Sequence, residues 1–337
     1  MIPTIALLGD VMLGRLVGER IANQPPEEVW APEVRELCGS CDLVICNLEC
    51  CISSRGEPTA RVRNKPFFFR GPREAVPSLQ AIGVRAVGLA NNHALDYEVE
   101  ALIETLELLA EAGIAVAGSG RGEYEARRGA IVEAGALGLG LVAVSDHPRE
   151  FAADRDSPGI AYGALGRGIP DWLTDELARL DQECDHVVAF PHWGPNMTTH
   201  PAGWQRRAAE QLQAAGADLV AGHSAHVFHG AGWGQRGPLL FDLGDALDDY
   251  AVDRRLRNDL GLIALWRPGH PEAELEVVGL TLDFCHSRLA VGEDAEWIAQ
   301  RLARACGALG TVVERTAEQR FRVAPCDPPQ ASGPVAA

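Results

Sequence analysis

The chain has 337 residues, 47% hydrophobic and 23% charged, the balance of an ordinary soluble globular protein. Its 47 acidic and 30 basic residues give a formal charge of −17. That charge repels phosphate backbones and argues against general nucleic-acid binding. It leaves room for a small anionic substrate, because a bound metal reverses the sign locally. No stretch approaches the ~18 consecutive apolar residues of a membrane span, and MIPTIALLGDVMLGR lacks a basic leader and a small-residue cleavage site. The expectation is a cytoplasmic protein with no membrane and no nucleic acid among its partners.

Apolar β-rich runs alternate with helical periodicities along the chain. Strands are expected at 4–8, 42–46 and 84–89, then a helix from Glu98 to Ala112 stopped by Gly113. A short strand follows at 114–117, and 130–132 with 139–145 read as a hairpin or adjacent strands. Next come a helix at 171–180, a strand at 186–190, a helix at 204–214 and strands at 219–221, 239–243, 262–266 and 275–282. A helix at 293–305 closes the pattern. One domain is expected over residues 1–322, with a disordered Pro/Ala-rich tail at 323–337. Nine Cys in a large chain do not make a disulfide framework. Cys38, Cys41, Cys46, Cys50 and Cys51 read as reduced, buried thiols; a zinc or redox CxxC at Cys38 and Cys41 is the minority reading.

The chemistry lies in where polar residues fall. Asp10, Asn47 with Glu49, Asn92 with His93, His192, His223 with His226, and Asp245 each lie just past a predicted strand. Ligands of α/β sheets bind at the carboxyl ends of strands. Any one of these residues could cap a helix or stabilise a turn. Together they read as one site of carboxylate, carboxamide and imidazole groups, which suits divalent cations and proton transfer.

In order, GDVMLGR at 9–15, NLE at 47–49, NNHALDY at 91–97, HWG at 192–194, GADLVAGHSAHV at 216–227 and LGD at 243–245 resemble the CapA-like family, named for poly-γ-glutamate capsule biosynthesis. The resemblance spans roughly residues 3 to 285. It implies an α/β fold: the calcineurin-like (metallo-dependent phosphatase-like) α/β/β/α four-layer sandwich, with a metal site at the strand ends. This sequence departs from the metallophosphoesterase pattern. Met12 stands where the first motif has His, Asn47 replaces a bridging Asp, and His223 and His226 are one residue further apart. Asp245 stands where many members have Asn. These changes favour a single ion, Ca or Mn ahead of Mg or Zn, over a tight two-metal centre. The implied ligands are Asp10, Asn47, Glu49, Asn92, His192 and His223.

Capsule members are typically membrane-anchored, so this chain resembles stand-alone members found beside ribosomal-peptide clusters. That resemblance implies a peptide substrate, such as the C-terminal region of a lasso-type precursor, and epimerisation at a Cα centre. Inversion needs an acid and a base on opposite faces of the carbon and a cation or donors at the enolate oxygen. The expected catalytic set is His93, Asp96, His192, His223, His226, Asp245 and Asp10. His93 would pair with Asp96 or Asp10; His192, His223 or His226 would pair with Asp245 or Glu49. No pyridoxal phosphate, nicotinamide or flavin is required, and Lys65 is the only Lys in the chain. Expected substrate contacts are Arg15, Trp193, Arg61 and Lys65. A metal-dependent phosphohydrolase is the second reading and a non-enzymatic component of capsule synthesis the third.

Overall fold

The computed structural model describes residues 2–270 and 274–326. The first half contains β1 (Ile5–Val11), α1 (Arg15–Asn23), α2 (Pro32–Gly39), β2 (Leu43–Leu48), β3 (Cys51–Ile52), β4 (Arg70–Gly71), α3 (Ala75–Gln80), β5 (Val84–Gly88), α4 (Glu98–Glu111), β6 (Ala115–Ala117), β7 (Ser119–Gly120), α5 (Glu123–Arg127), β8 (Ala130–Ala134), β9 (Leu137–Ser145) and β10 (Gly159–Ile160). The second half contains α6 (Asp171–Glu183), β11 (His186–His192), α7 (Gly203–Ala214), β12 (Leu219–Ala221), β13 (Ala231–Trp233), β14 (Pro238–Leu240), β15 (Asp245–Leu247), β16 (Leu260–Trp266), β17 (Leu275–Leu282), β18 (Ser287–Leu289), α8 (Gly292–Gly307), β19 (Thr311–Ala317) and β20 (Arg320–Pro325).

Two sheets carry the molecule. The first runs β19-β20-β17-β16-β1-β2-β5-β6, with β15 also on β1 and β18 on β17. Its β1, β2, β5 and β6 are parallel, and β16 joins β1 antiparallel. The second runs β13-β14-β12-β11-β9-β8, parallel except for its two edge strands. Parallel strands covered on both faces read as continuous apolar runs, and β1 is buried at every position.

Strand alternation sets the layers. Leu139, Leu141 and Ala143 of β9 join Ile45, Val87 and Phe190 in the core between the sheets. Val142 and Val144 turn the other way, onto Leu173 and Leu177 of α6 and Ala208 and Leu212 of α7. Leu102 of α4 and Ile298 of α8 pack on the first sheet. This is the four-layer α/β/β/α sandwich of the calcineurin-like fold.

Two glycines let the strand ends converge. A Cβ on Gly9 would stand 1.9 Å from the Gly244 carbonyl oxygen, and one on Gly222 would stand 2.4 Å from that of Phe241. The chain therefore brings Asp10 beside Gly244–Asp245, and His223 beside the end of β14.

Some boundaries differ from the sequence reading. The strand expected at 239–243 ends at Leu240, because Phe241–Gly244 turns into the site. β20 pairs with β17 and β19 through Pro325, so the strand enters the segment expected as tail; residues 327–337 lie outside the described ones. The clustered cysteines are free, and all but Cys41 are buried. Burial raises the thiols of Cys38 and Cys50 to about 12. The candidate metal clusters among the described residues contain no cysteine, and Cys38 lies in the apolar core with Cys41 packed against it. No described helix is long and apolar enough to cross a membrane.

Candidate metal centre and catalytic site

Asp10 lies at the end of β1, where the register with β2 shifts between Leu8 and Asp10. Its Oδ1 accepts a hydrogen bond from Asn47 Nδ2 at 2.7 Å, and Oδ2 accepts one from the Ser224 amide at 3.1 Å. Around it stand His223 Nδ1 at 3.2 Å, His226 Nδ1 at 3.6 Å and His192 Nδ1 at 3.8 Å. The His192 and His223 Nδ1 atoms are 2.9 Å apart, their backbones joined by a parallel bridge between the end of β11 and the loop after β12. Burial works to raise the Asp10 carboxyl. The His223 hydrogen bond and the three imidazoles outweigh it and hold Asp10 well below the usual range.

Two ligand groups meet at this carboxylate. Asp10, His192 and His223 form one; Asp10, Glu49, His226 and Asp245 form the other, the donor atoms within each lying within 4.8 Å of one another. All six residues are buried. Glu49 Oε1, His192 Nε2 and His223 Nε2 have no hydrogen-bond partner among the described residues. Burial and then the Asp10 charge push Glu49 far up, and burial with Asp248 and Asp10 does the same to Asp245. Converging buried carboxylates and orphaned imidazole nitrogens fit a divalent cation, which would relieve both penalties.

Two His–carboxylate pairs flank the cluster. His93 Nδ1 lies 2.6 Å from Asp96 Oδ2, and the other Asp96 oxygen meets Lys65 Nζ at 3.1 Å. Asp96 Oδ2 also accepts the Phe69 amide at 2.6 Å. His226 Nδ1 lies 2.8 Å from Asp245 Oδ1. His93 and His226 both line a cavity of about 300 Å³ that Arg15, Phe69, Met197 and Tyr250 also line. Tyr250 closes the floor, its hydroxyl donating to Glu49 Oε2 at 3.0 Å.

The expected site residues therefore sort plainly. Asp10, Glu49, His192, His223, His226 and Asp245 converge, with His93 and Asp96 beside them. Asn47 is present, but its carboxamide is engaged: it donates to Asp10 and accepts from Asn91 Nδ2 at 3.1 Å. It orients the central carboxylate. Asn92 keeps a buried Oδ1 with no hydrogen-bond partner among the described residues, while its backbone carbonyl accepts from Lys65 at 2.8 Å. Lys65 sits behind the His93–Asp96 pair and braces it. Arg15 is at the cavity wall. Trp193 is not: it is fully buried, bonds the Phe241 carbonyl at 2.9 Å and packs in the outer core of the second sheet. Arg61 pairs with Glu98 at 2.6 Å and is absent from the cavity lining.

Sequence reading missed three groups. Asp242 accepts the Ala225 and Gly244 amides at 2.8 and 2.9 Å and ties the His226 loop to the Asp245 turn; burial and Asp10 push it to about 8. Tyr250 was missed because it lies in the loop after β15, a strand that the sequence reading did not expect. His147 bonds its neighbour Asp146 and tilts against His192, ring centroids 5.2 Å apart. Its position just after β9 was the signal that could have found it.

The fold and its buried donor cluster define a metallophosphoesterase-like protein with a candidate divalent-metal centre. The chain matches the family described as bacterial capsule synthesis protein PGA_cap over residues 4–250, and it belongs to that family. It is 28% identical to a probable polyglutamine synthesis accessory protein of Mycobacterium tuberculosis, across 96% of both chains. It is 26% identical to the PGA biosynthesis protein CapA of Bacillus subtilis, across 66% of this chain and 57% of that one. The capsule biosynthesis protein CapA of Bacillus anthracis is 25% identical across 83% and 67%.

Proposed function

We propose that the chain is a metal-dependent enzyme that moves protons at a peptide-type substrate, inverting a Cα centre. One observation carries this reading. His93 and His226, each bonded to a buried carboxylate, come from loops of different sheets and line one cavity beside the Asp10 cluster. Inversion needs a group to take the proton from one face and a group to return it on the other. The relatives' names, which refer to polyglutamine synthesis and PGA biosynthesis, support a substrate built of amide-linked units.

In this reading Asp10, His192 and His223 would hold the ion, which leaves the His226–Asp245 pair free. A divalent ion there would supply Lewis-acid stabilisation to a substrate carbonyl. Two imidazoles and one carboxylate suit Zn or Mn better than Ca, which prefers an all-oxygen set. Asn47 and the Ser224 amide hold Asp10 in place, and Asp96 with Lys65 fixes the His93 ring.

A second reading, hydrolysis by two ions, is favoured by the sharing of Asp10 between the two ligand groups. A shared carboxylate supplies the bridge that Asn47 cannot. That set would take His226 as a ligand. One experiment separates the two. Purified protein is loaded with Ca, Mn, Mg or Zn in turn and its ions counted by elemental analysis. It is then incubated in D₂O with poly-γ-glutamate and a pool of synthetic peptides. One ion per chain, with one deuteron gained and inverted stereochemistry at Cα, supports epimerisation. Two ions with new chain ends, or with turnover of aryl phosphates, replaces it with hydrolysis. Loaded protein that does neither leaves an accessory binding role and overturns the proposal.

A further inference from the structure

The cavity beside the metal cluster has one arginine and no lysine in its described lining, Arg15. Arg15 begins α1 with a left-handed backbone, φ +49°, a conformation an L-residue holds only where its surroundings compel it. The compulsion is visible. Asp249, fully buried, pairs with the Arg15 guanidinium at 3.0 Å through one oxygen and accepts the Leu16 amide at 3.0 Å through the other. The guanidinium carbon lies 5.5 Å from the ring centre of Phe69 and 5.8 Å from those of Phe67 and Tyr250. Three aromatic faces and one carboxylate thus hold the head in a fixed place and spread its charge little. Yet the side chain stays 36% exposed, and Asp249 is its one ionic partner among the described residues. A guanidinium has five N–H donors, more than its single contact with Asp249 engages.

Tyr250 joins this head to the cluster: its ring lies under Arg15 and its hydroxyl reaches Glu49. A ligand lying along Tyr250 would touch Arg15 at one end and the metal ligands at the other. Arg15 is also the residue shared with a second, open groove of about 520 Å³ lined by Ser53, Arg70, Arg73, Glu19 and Glu74.

Resting on the proposed peptide-type substrate, we propose that Arg15 is a specificity-determining residue that binds a substrate carboxylate, with Phe67, Phe69 and Tyr250 covering the short apolar segment between that carboxylate and the reacting centre. Arg is the side chain whose planar fork matches a carboxylate in two bonds. The carboxylate is either the chain terminus, in which case the ligand ends at Arg15, or a side-chain acid, in which case the chain continues into the Arg70–Arg73 groove.

The test is binding, independent of turnover. Fluorescence anisotropy follows four labelled probes on the full chain: a short oligoglutamate with a free C terminus, its C-terminal amide, and the two oligoglutamine counterparts. The expected result is that at least one carboxylate-bearing probe binds about tenfold tighter than the oligoglutamine amide. Arg15→Gln should erase that preference and Arg15→Lys should restore only part of it. Arg304→Gln, the same charge change on an exposed position of α8, should leave it intact. Loss on amidation alone assigns the chain terminus; loss on exchanging Glu for Gln assigns the side chain. Equal binding of all four probes, no binding by the wild type, or a preference that survives Arg15→Gln overturns the proposal. The wild-type comparison stands even if Arg15→Gln fails to fold. Failure of the metal reading would show separately, as an absence of bound ion in elemental analysis.

Discussion

The two His–carboxylate pairs are built from the same residue types and are held in opposite electrostatic states. His93 is backed by Asp96, but Asp96 is itself neutralised by Lys65 at 3.1 Å. Burial and then the Lys65 charge drive the His93 imidazole well below its ordinary value. At His226 burial pulls the same way, yet Glu49, Asp10 and Asp242 outweigh it and the imidazole moves up. Before any ion binds, the two rings are therefore shifted in opposite directions. The lesson is that the second layer of charge, a lysine in one case and carboxylates in the other, sets the state of a His–Asp pair. Pairs of titratable groups pushed apart in this way are the usual mark of an acid and its base.

The largest expected effect removes the carboxylate at the centre of the cluster. Asp10→Ala deletes the carboxylate common to both ligand groups, so bound metal should fall to background in elemental analysis. Activity should drop by roughly 10³-fold or more, since charge stabilisation of the developing oxyanion goes with it. Retained metal with retained activity would detach the cluster from function.

Next come the pairs themselves. His93→Ala and His226→Ala should each lower epimerisation by ~10²–10⁴-fold, the usual share of a positioned acid or base. The sharper readout is isotopic. With one base gone, the remaining one still exchanges the Cα proton of the epimer whose hydrogen faces it. Each variant should therefore wash deuterium into only one stereoisomer, and the two variants into opposite ones. Exchange into both isomers by either variant would mean that the pairs do not sit on opposite faces.

Lys65→Met tests the cause of the contrast. It removes the charge that depresses His93, so the His93 titration followed by NMR should move up, toward His226. The same change leaves the Asp96 carboxylate buried without its partner. Breaking a buried pair in this way costs about 3–5 kcal/mol, less whatever Asp96, already raised by burial to about 7, recovers by taking a proton. An unmoved His93 would assign its depression to burial alone.

Much of this was legible in the chain. Strands were readable because parallel sheets make continuous apolar runs, and the polar residues past β1, β2, β5, β11 and β12 marked the site. What sequence could not give is which atoms those residues spend on each other. Asn47 reads as a ligand, but folding places its carboxamide between Asp10 and Asn91. Trp193 follows the strand that carries His192, yet alternation along that strand turns its ring into the opposite layer. Asp242 and Tyr250 lie in loops without periodicity, and their roles depend on tertiary approach. Lys65, expected to touch substrate, instead braces Asp96 from a loop whose path no local pattern predicts.

The smallest effect concerns another imidazole–carboxylate pair, far from chemistry, which serves as the control. His186 Nδ1 lies 3.3 Å from Asp218 Oδ2 at the other end of β11. That carboxylate also accepts the Val187 amide at 2.9 Å and pairs with Arg236 at 2.9 Å. Burial would raise Asp218, but His186, the amide and Arg236 prevail and lower it. A carboxyl depressed on folding adds stability above its unfolded value, and that stability is lost as pH falls through the folded one. Asp218→Asn should therefore cost about 1 kcal/mol in denaturant melts at neutral pH. The gap to wild type should shrink as the medium is acidified below about pH 4. Metal content and activity should not change. If they do, the two ends of β11 are coupled, and the contrast between the His93 and His226 pairs is no longer local to the cavity.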